Sequence, residues 1–302
     1  MVFLEKLILP DSEQEYRLAQ RRRAENGGPF GYLENGYPCM LFPERSLREL
    51  DFEAVTILAG GNGSGKSTLL HVLAEKLSLA RQAPHNGGEL FAPYAAACSV
   101  RFGLDEEGEP LSLPEGSRLI ASDDVFEYML AARGSNERVA ADTERAREEY
   151  AALKYGETVR FTGLEDYEAV RAQLLARQRS RRRFAHAAAG REVRLRSNGE
   201  TALRFFEHAL KEGRLYLLDE PENSLSPSMQ RKLKGLLEEM ARYGGCQFVI
   251  ATHSPFLLAL RGGKLYDLDA CPVTVRPWWE LEGPRAYFEF FEENRGRFCP
   301  RR

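Results

Sequence analysis

Short apolar blocks and longer amphipathic stretches alternate along this chain. Val55-Thr56-Ile57-Leu58, Leu215-Tyr216-Leu217-Leu218 and the run from Gln247 to Ala251 each have the length and continuity of a buried strand. Helical patterns follow them at 66–79, 228–243 and beyond Ser254, and another begins near Leu203. Strand alternating with helix predicts a parallel sheet with crossover helices. The first nine residues alternate as a strand, Tyr37-Pro38-Cys39-Met40-Leu41-Phe42 is a second strand candidate, and 53–59 is a third. Two more fall at 96–104 and 117–122, around the acidic turn Asp105–Glu109. Asp11 to Pro38 reads as a partly helical excursion with a turn-rich loop, and Pro84 to Pro93 as a Gly/Pro-rich loop. From Val125 to about Arg194 aliphatic residues thin out, and Ala, Arg and Glu dominate helical stretches at 136–154 and 165–188. The expected organisation is therefore α/β: a mixed sheet with flanking helices, an N-terminal antiparallel β part, and a helical insertion. Its parts are 1–125, 126–194 and 195–302.

The stretch at 60–67 adds chemistry to this pattern. Gly60-Gly61-Asn62-Gly63-Ser64-Gly65-Lys66-Ser67 is G-x-x-x-x-G-K-S, set between an apolar strand and a helix. Glycines allow successive backbone amides to point inward as an anion nest, and the helix behind them aims its positive end at the same point. Lys66 supplies a point charge for β and γ phosphates, and the Ser67 hydroxyl can ligate Mg²⁺. This is a nucleotide triphosphate site. Leu215–Leu218 ends in Asp219-Glu220, which brings a metal-holding carboxylate and a candidate general base to the sheet edge where the phosphate loop lies. His253, just past the run at 247–251, reaches the same edge and can sense the γ-phosphate. Ser197-Asn198-Gly199-Glu200 opens a helix. Taken alone it is read equally well as a plain capped helix or as an anion-binding helix end.

These four motifs, in this order, resemble the ATP-binding-cassette ATPases, and within them the RecF/SMC-like branch of AAA family ATPases. LLDEPENSLSP followed by IATHSPFLLA is similar to small stand-alone members of that branch. The resemblance covers about 1–125 and 195–270 and says little about 126–194. It implies a P-loop NTPase fold of ABC-ATPase type and hydrolysis of ATP with Mg²⁺. It also implies a homodimer in which two copies sandwich two nucleotides. Gly60, Gly61, Asn62, Gly63, Ser64, Gly65, Lys66, Ser67, Asp219, Glu220 and His253 would act in cis, with Thr68 at the α-phosphate. Ser197 and Gly199 would reach the γ-phosphate of the partner's nucleotide. Two departures from the pattern are visible: Ser-Asn-Gly-Glu in place of Ser-Gly-Gly-Gln, and Ser224-Leu225-Ser226-Pro227 where an aspartate commonly follows. No glutamine ends the strand at 117–122; Ser122-Asp123-Asp124 stands there, and its acids equally suit a helix cap.

Composition changes this picture little. With 302 residues, 43% hydrophobic, 29% charged and a net charge of −3, the chain can bury a large core and has no global bias toward a polyanion. No run approaches the roughly 18 apolar residues of a membrane span, and the N-terminus lacks a signal peptide's layout, so no membrane insertion and a cytoplasmic location are expected. Five widely spaced cysteines without C-x-x-C argue for reduced thiols, not a disulfide framework or a zinc site. The cluster Arg177 to Arg183 could neutralise DNA phosphates or be a solvated helix face, offset by the acidic run Glu144–Glu149. The functional expectation is a nucleotide-driven dimeric clamp or switch acting on DNA in repair or defence. The alternative is the ATP-binding subunit of an ABC transporter.

Overall fold

A computed structural model describes residues 2–26, 33, 35–82, 87–156, 166–178, 180 and 198–298, without the side chains of 135–137, 140, 169 and 198. The chain divides into two units, one made of Met1–Phe126 with Ala202–Arg302, the other of Glu127–Thr201.

The larger unit is built on a six-stranded sheet. Strand β3 (Val55–Ala59) lies between β7 (Gln247–Ala251) and β8 (Gly263–Asp267), parallel to both. Strand β6 (Leu215–Asp219) follows β7, β5 (Arg118–Ala121) follows β6, both parallel, and β9 (Thr274–Val275) closes the other edge antiparallel to β8. All five residues of β3, β6 and β7 are buried, which is why these strands read as unbroken apolar runs: helices cover both faces of a parallel sheet. Their register positions the candidate site. Leu58 pairs with Ala251, and Ala251 with Asp219, so three strands reach one sheet edge together and their following residues emerge side by side.

A second, antiparallel sheet sets β1 (Leu4–Ile8) between β2 (Glu49–Asp51) and β4 (Ser99–Phe102). Gln247, fully buried, joins the two sheets: its side-chain oxygen accepts from Phe3 N (2.9 Å) and Leu4 N (2.8 Å), and its amide donates to Leu4 O (2.7 Å) and Glu53 O (3.1 Å). A buried amide is tolerated there because its hydrogen-bonding capacity is filled.

Helices α1 (Ser12–Glu25), α2 (Lys66–Lys76) and α3 (Phe91–Ala97) complete the N-terminal part. Three expectations change. Residues 37–42 are turns, not a strand: Cys39 N donates to Gly36 O and Leu41 N to Pro38 O, so these amides close locally instead of extending a ladder. The Met40 amide turns to Glu15 on α1, donating to its Oε2 at 2.6 Å. Helix α2 stops at Lys76, three residues early, because Ser78 takes a left-handed conformation (φ 53°) and Leu79 N donates back to Ala74 O. The described end of the 84–93 loop turns into α3 at Phe91, where apolar Phe91, Tyr94 and Ala95 are buried and Pro93 sits in the first turn, which tolerates it.

Glu15 is 1% exposed, and burial pushes its carboxyl above the ordinary glutamate value of 4.5. An acid whose folded pKa is raised is most favourable to folding below its unfolded value and loses that contribution as pH rises through the folded one. Glu15→Gln keeps an acceptor for Met40 N and is expected to melt higher than the parent at pH 7–8. The gain should vanish below about pH 4.5 in paired thermal melts; an equal gain at all pH values would mean that charge is not the cause.

The smaller unit is helical. Helix α4 (Ser122–Tyr155) runs 34 residues without a break, about 50 Å, and starts well before the 136–154 stretch expected. After it come α5 (Tyr167–Gln178) and the first turn of α6 (Asn198–Ala209). Ala146, Tyr150 and Ala176 are buried, and Gln173 Nε2 donates to Leu153 O at 3.2 Å. Exposed pairs Asp142–Arg145 and Glu144–Arg147 show the acidic run partly neutralised along its own helix, each pair contributing little to stability. Of the arginine cluster, Arg177 lies in the last turn of α5, while Arg179, Arg181, Arg182 and Arg183 lie outside the described residues. The remaining helices, α7 (Pro227–Arg242), α8 (Pro255–Leu258), α9 (Glu282–Glu293) and α10 (Arg295–Phe298), belong to the larger unit. Among the described residues no helix is long and apolar enough to cross a membrane.

Candidate nucleotide site

The loop leaving β3 curls tightly before α2 starts at Lys66. Two of its glycines are required by what surrounds them. A Cβ on Gly60 would lie 2.7 Å from Ser64 Oγ, and one on Gly65 (φ 95°) would press on Leu41 and Phe42 at 3.2 and 3.3 Å. By contrast nothing lies within 4 Å of a Cβ built on Gly63, whose side of the loop faces open space.

Lys66 is 4% exposed, and its ammonium donates to the carbonyls of Gly60 and Gly61, both at 2.9 Å. Burial lowers its pKa, while Glu220, Asp269, Asp219 and Glu222 hold it up. Backbone carbonyls are weak partners for a desolvated cation, so an incoming polyanion meets a charge that is poorly satisfied. Next along α2, the Ser67 hydroxyl donates to Asp219 Oδ1 at 2.9 Å. Asp219, at the tip of β6, is pushed up to about 6 by desolvation, against the lowering effect of the Ser67 bond. His71, one turn after Ser67, stands 3.9 Å from Asp219 Oδ2. A hydroxyl and a carboxylate in contact beside a phosphate-binding loop fit Mg²⁺, which takes few protein ligands and keeps its waters. Among the described residues no group of three or more His, Cys, Asp or Glu side chains that could hold a metal ion occurs.

Glu220 turns the chain out of β6 with φ 47°, its amide still donating to Ala251 O at 2.9 Å. Its Oε1 lies 3.5 Å from His253 Nε2, and its Oε2 accepts from Asn223 Nδ2 at 2.8 Å. Two strand ends far apart in sequence thus bring a carboxylate and an imidazole face to face, both partly solvent-accessible.

Three contributors were not foreseen. Glu222, 8% exposed, accepts through one oxygen from Thr252 Oγ1 (2.6 Å), His253 N (2.7 Å) and Ser254 N (3.0 Å). It clamps the turn that carries His253. Asp269, beyond β8, accepts from Gly61 N at 2.6 Å, which ties the start of the phosphate loop to the neighbouring strand end. Tyr37 donates to Thr68 Oγ1 at 2.7 Å. A carboxylate one residue past Pro221 and an aspartate two residues past β8 were the available signals. Beside the loop, Gly60, Gly61, His253, Asp269, Arg276 and Arg285 line a cavity of about 830 Å³.

Gly60 to Thr68, Asp219, Glu220 and His253 therefore converge at one sheet edge. Gly199 sits in the first turn of α6, within the smaller unit, and Ser197 lies outside the described residues. The helix expected after Ser197 is present. Asp124 does act as a cap, its Oδ2 accepting from Ala121 N at 2.8 Å.

The fold is α/β, a mixed sheet flanked by helices, with the G-x-x-x-x-G-K-S loop set between β3 and α2. Residues 135–259 match the AAA_21 family, described as "AAA domain, putative AbiEii toxin, Type IV TA system", in agreement with the RecF/SMC-like AAA resemblance carried by the motifs. The matched segment takes in residues 197–200, β6 and His253 and begins after the phosphate loop. No curated protein matches the chain. Among solved structures, the SMC head domain from Thermotoga maritima is similar at 16% identity and TM-score 0.38, covering 91% of this chain and 98% of its own. The Pyrococcus furiosus Smc head domain with an extended coiled coil, bound to the C-terminal domain of ScpA, gives 14%, 0.45, 98% and 100%. The ATP-binding cassette MJ0796 bound to ADP and Pi gives 16%, 0.33, 74% and 85%.

Proposed function

We propose that the protein hydrolyses ATP and uses the nucleotide to close two copies upon each other. The observation that carries this reading is the division of labour at the tip of β6. Asp219 is bonded to Ser67 of the phosphate loop, and the adjacent Glu220 is turned away to face His253. Backbone amides of 60–65 and the Lys66 ammonium would receive the β and γ phosphates. Ser67 and Asp219 would hold Mg²⁺, which when bound neutralises charge developing on the phosphoryl oxygens. Glu220 is placed to take a proton from the attacking water, with His253 orienting both. Ser197 and Gly199 would cover the γ-phosphate of the partner's nucleotide, so that hydrolysis releases the closed pair. Release of phosphate from Mg-ATP by the purified protein tests the reading, and no turnover above background would overturn it.

The same assay with and without duplex DNA tests the proposed DNA partner, which is supported by the Arg177–Arg183 run. Stimulation that fades as salt rises is expected if these arginines neutralise backbone phosphates.

Glu222 adds a positioning residue. Glu222→Ala leaves two backbone amides and the Thr252 hydroxyl without their shared acceptor, so His253 loses its fixed place. Phosphate release is expected to fall by about 10- to 100-fold in kcat, a cost of about 1–3 kcal/mol. KM for ATP should hold, because Glu222 shares no hydrogen bond with Lys66 or the loop and is the weakest of the carboxylates that act on that lysine. A rise in KM with unchanged kcat would reject this role.

A further inference from the structure

Two charges of opposite sign are applied to the same two residues of the phosphate loop. The Lys66 ammonium donates to the carbonyls of Gly60 and Gly61, both at 2.9 Å. From the neighbouring strand end, Asp269 Oδ2 accepts from Gly61 N at 2.6 Å. A Cβ on Gly60 would lie 3.2 Å from Asp269 Oδ1, and one on Gly61 3.6 Å from Oδ2, so the two glycines leave room for both oxygens. Asp269 is held there by its own turn. Its amide donates to Asp267 Oδ1 (3.1 Å), Leu268 N donates to Ala59 O (2.8 Å), and the Arg45 guanidinium donates to Leu268 O. Asp267 has a cation of its own in Arg276 at 3.5 Å, whereas Asp269 makes no ion pair among the described residues.

We infer that Asp269 makes the loop select on charge: its carboxylate repels the phosphates that Lys66 attracts, so metal-free nucleotide binds weakly and the Mg²⁺ complex is preferred. The inference rests on the reading of 60–67 as a phosphate-binding loop and is independent of hydrolysis. The reason is electrostatic. An anion drawn to the ammonium bonded to Gly60 and Gly61 comes up against a carboxylate seated on the same residues, and like charges at close range oppose each other. The repulsion grows with the negative charge of the ligand, which bound Mg²⁺ reduces. Asp269 is exposed, so dissolved salt screens it. It also favours the Lys66 ammonium, but burial is the largest effect on that group and Glu220 acts on it more strongly than Asp269. With Glu220, Asp219 and Glu222 in place, removing the Asp269 charge takes away a repulsion and leaves the cation.

The experiment is calorimetric binding of ATP in EDTA, and of a non-hydrolysable ATP analogue with Mg²⁺, to the full chain and to Asp269→Asn. The amide oxygen of the variant still accepts from Gly61 N, so the tie is kept and only the charge is lost. Affinity for metal-free ATP is expected to rise about threefold or more at low salt, with a smaller rise for the Mg²⁺ complex. Both gains should fade as ionic strength increases. Unchanged affinity would reduce Asp269 to a structural tie and overturn the inference. Gains that ignore salt would trace to loop shape and overturn it too, as would weaker binding of the Mg²⁺ complex, which would make Asp269 a group that supports the ligand. A parent protein that binds neither ligand overturns the phosphate-loop reading and the inference together. Because the analogue is not hydrolysed, failure of the ATPase reading alone does not alter the result.

Discussion

Glu220→Gln is expected to slow phosphate release by about 10²- to 10⁴-fold, the range that a positioned general base contributes. The substitution preserves shape, and the amide oxygen can still accept from Asn223 Nδ2, now 2.8 Å from the carboxylate. What it removes is the ability to take a proton. Asp219, Ser67 and Lys66 keep their places, so Mg-ATP should still bind and should persist unhydrolysed. If nucleotide joins two copies, this variant accumulates as a closed pair in ATP. Normal turnover in the variant would show that Glu220 is not the base.

Lys66→Ala acts one step earlier and should prevent binding. Two charge-assisted contacts to phosphate at about 1.5–3 kcal/mol each correspond to at least a hundredfold loss of ATP affinity. Loss of binding could be confused with unfolding, but the direction of the Lys66 shift separates them. Burial is the largest effect on the ammonium and disfavours it, outweighing the nearby carboxylates, and it donates to the Gly60 and Gly61 carbonyls and the Ser64 hydroxyl. Removing it should leave the melting temperature of the nucleotide-free protein unchanged or higher. Calorimetry that still finds tight ATP binding would discredit the assignment of the loop.

Most of the site was legible before any coordinates because its parts are local. A phosphate loop needs glycines, a lysine and a serine at fixed offsets, and a buried parallel strand must be a continuous apolar run. Asp219 and His253 were found because each directly follows such a run. Where a segment's conformation depends on its neighbours, reading failed. Residues 37–42 carry strand-like apolarity, yet Glu15 on a distant helix captures the Met40 amide and the segment forms turns. The end of the 84–93 loop carries proline and still enters a helix, since burial of Phe91 and Tyr94 outweighs a proline in the first turn.

Short-range spacing, then, names the candidates for phosphate, metal and proton: the loop at 60–67, Asp219 and Glu220. Tertiary structure alone decided that one oxygen of Glu222 would secure the whole His253 turn. It also decided that Asp269 would anchor Gly61 from the adjacent strand, and that α9 would present its aromatic side to solvent. The physical reason is range. Spacing along the chain dictates periodicity and loop shape, whereas the partner of a buried carboxylate, or the side a helix shows, depends on which distant strands share an edge.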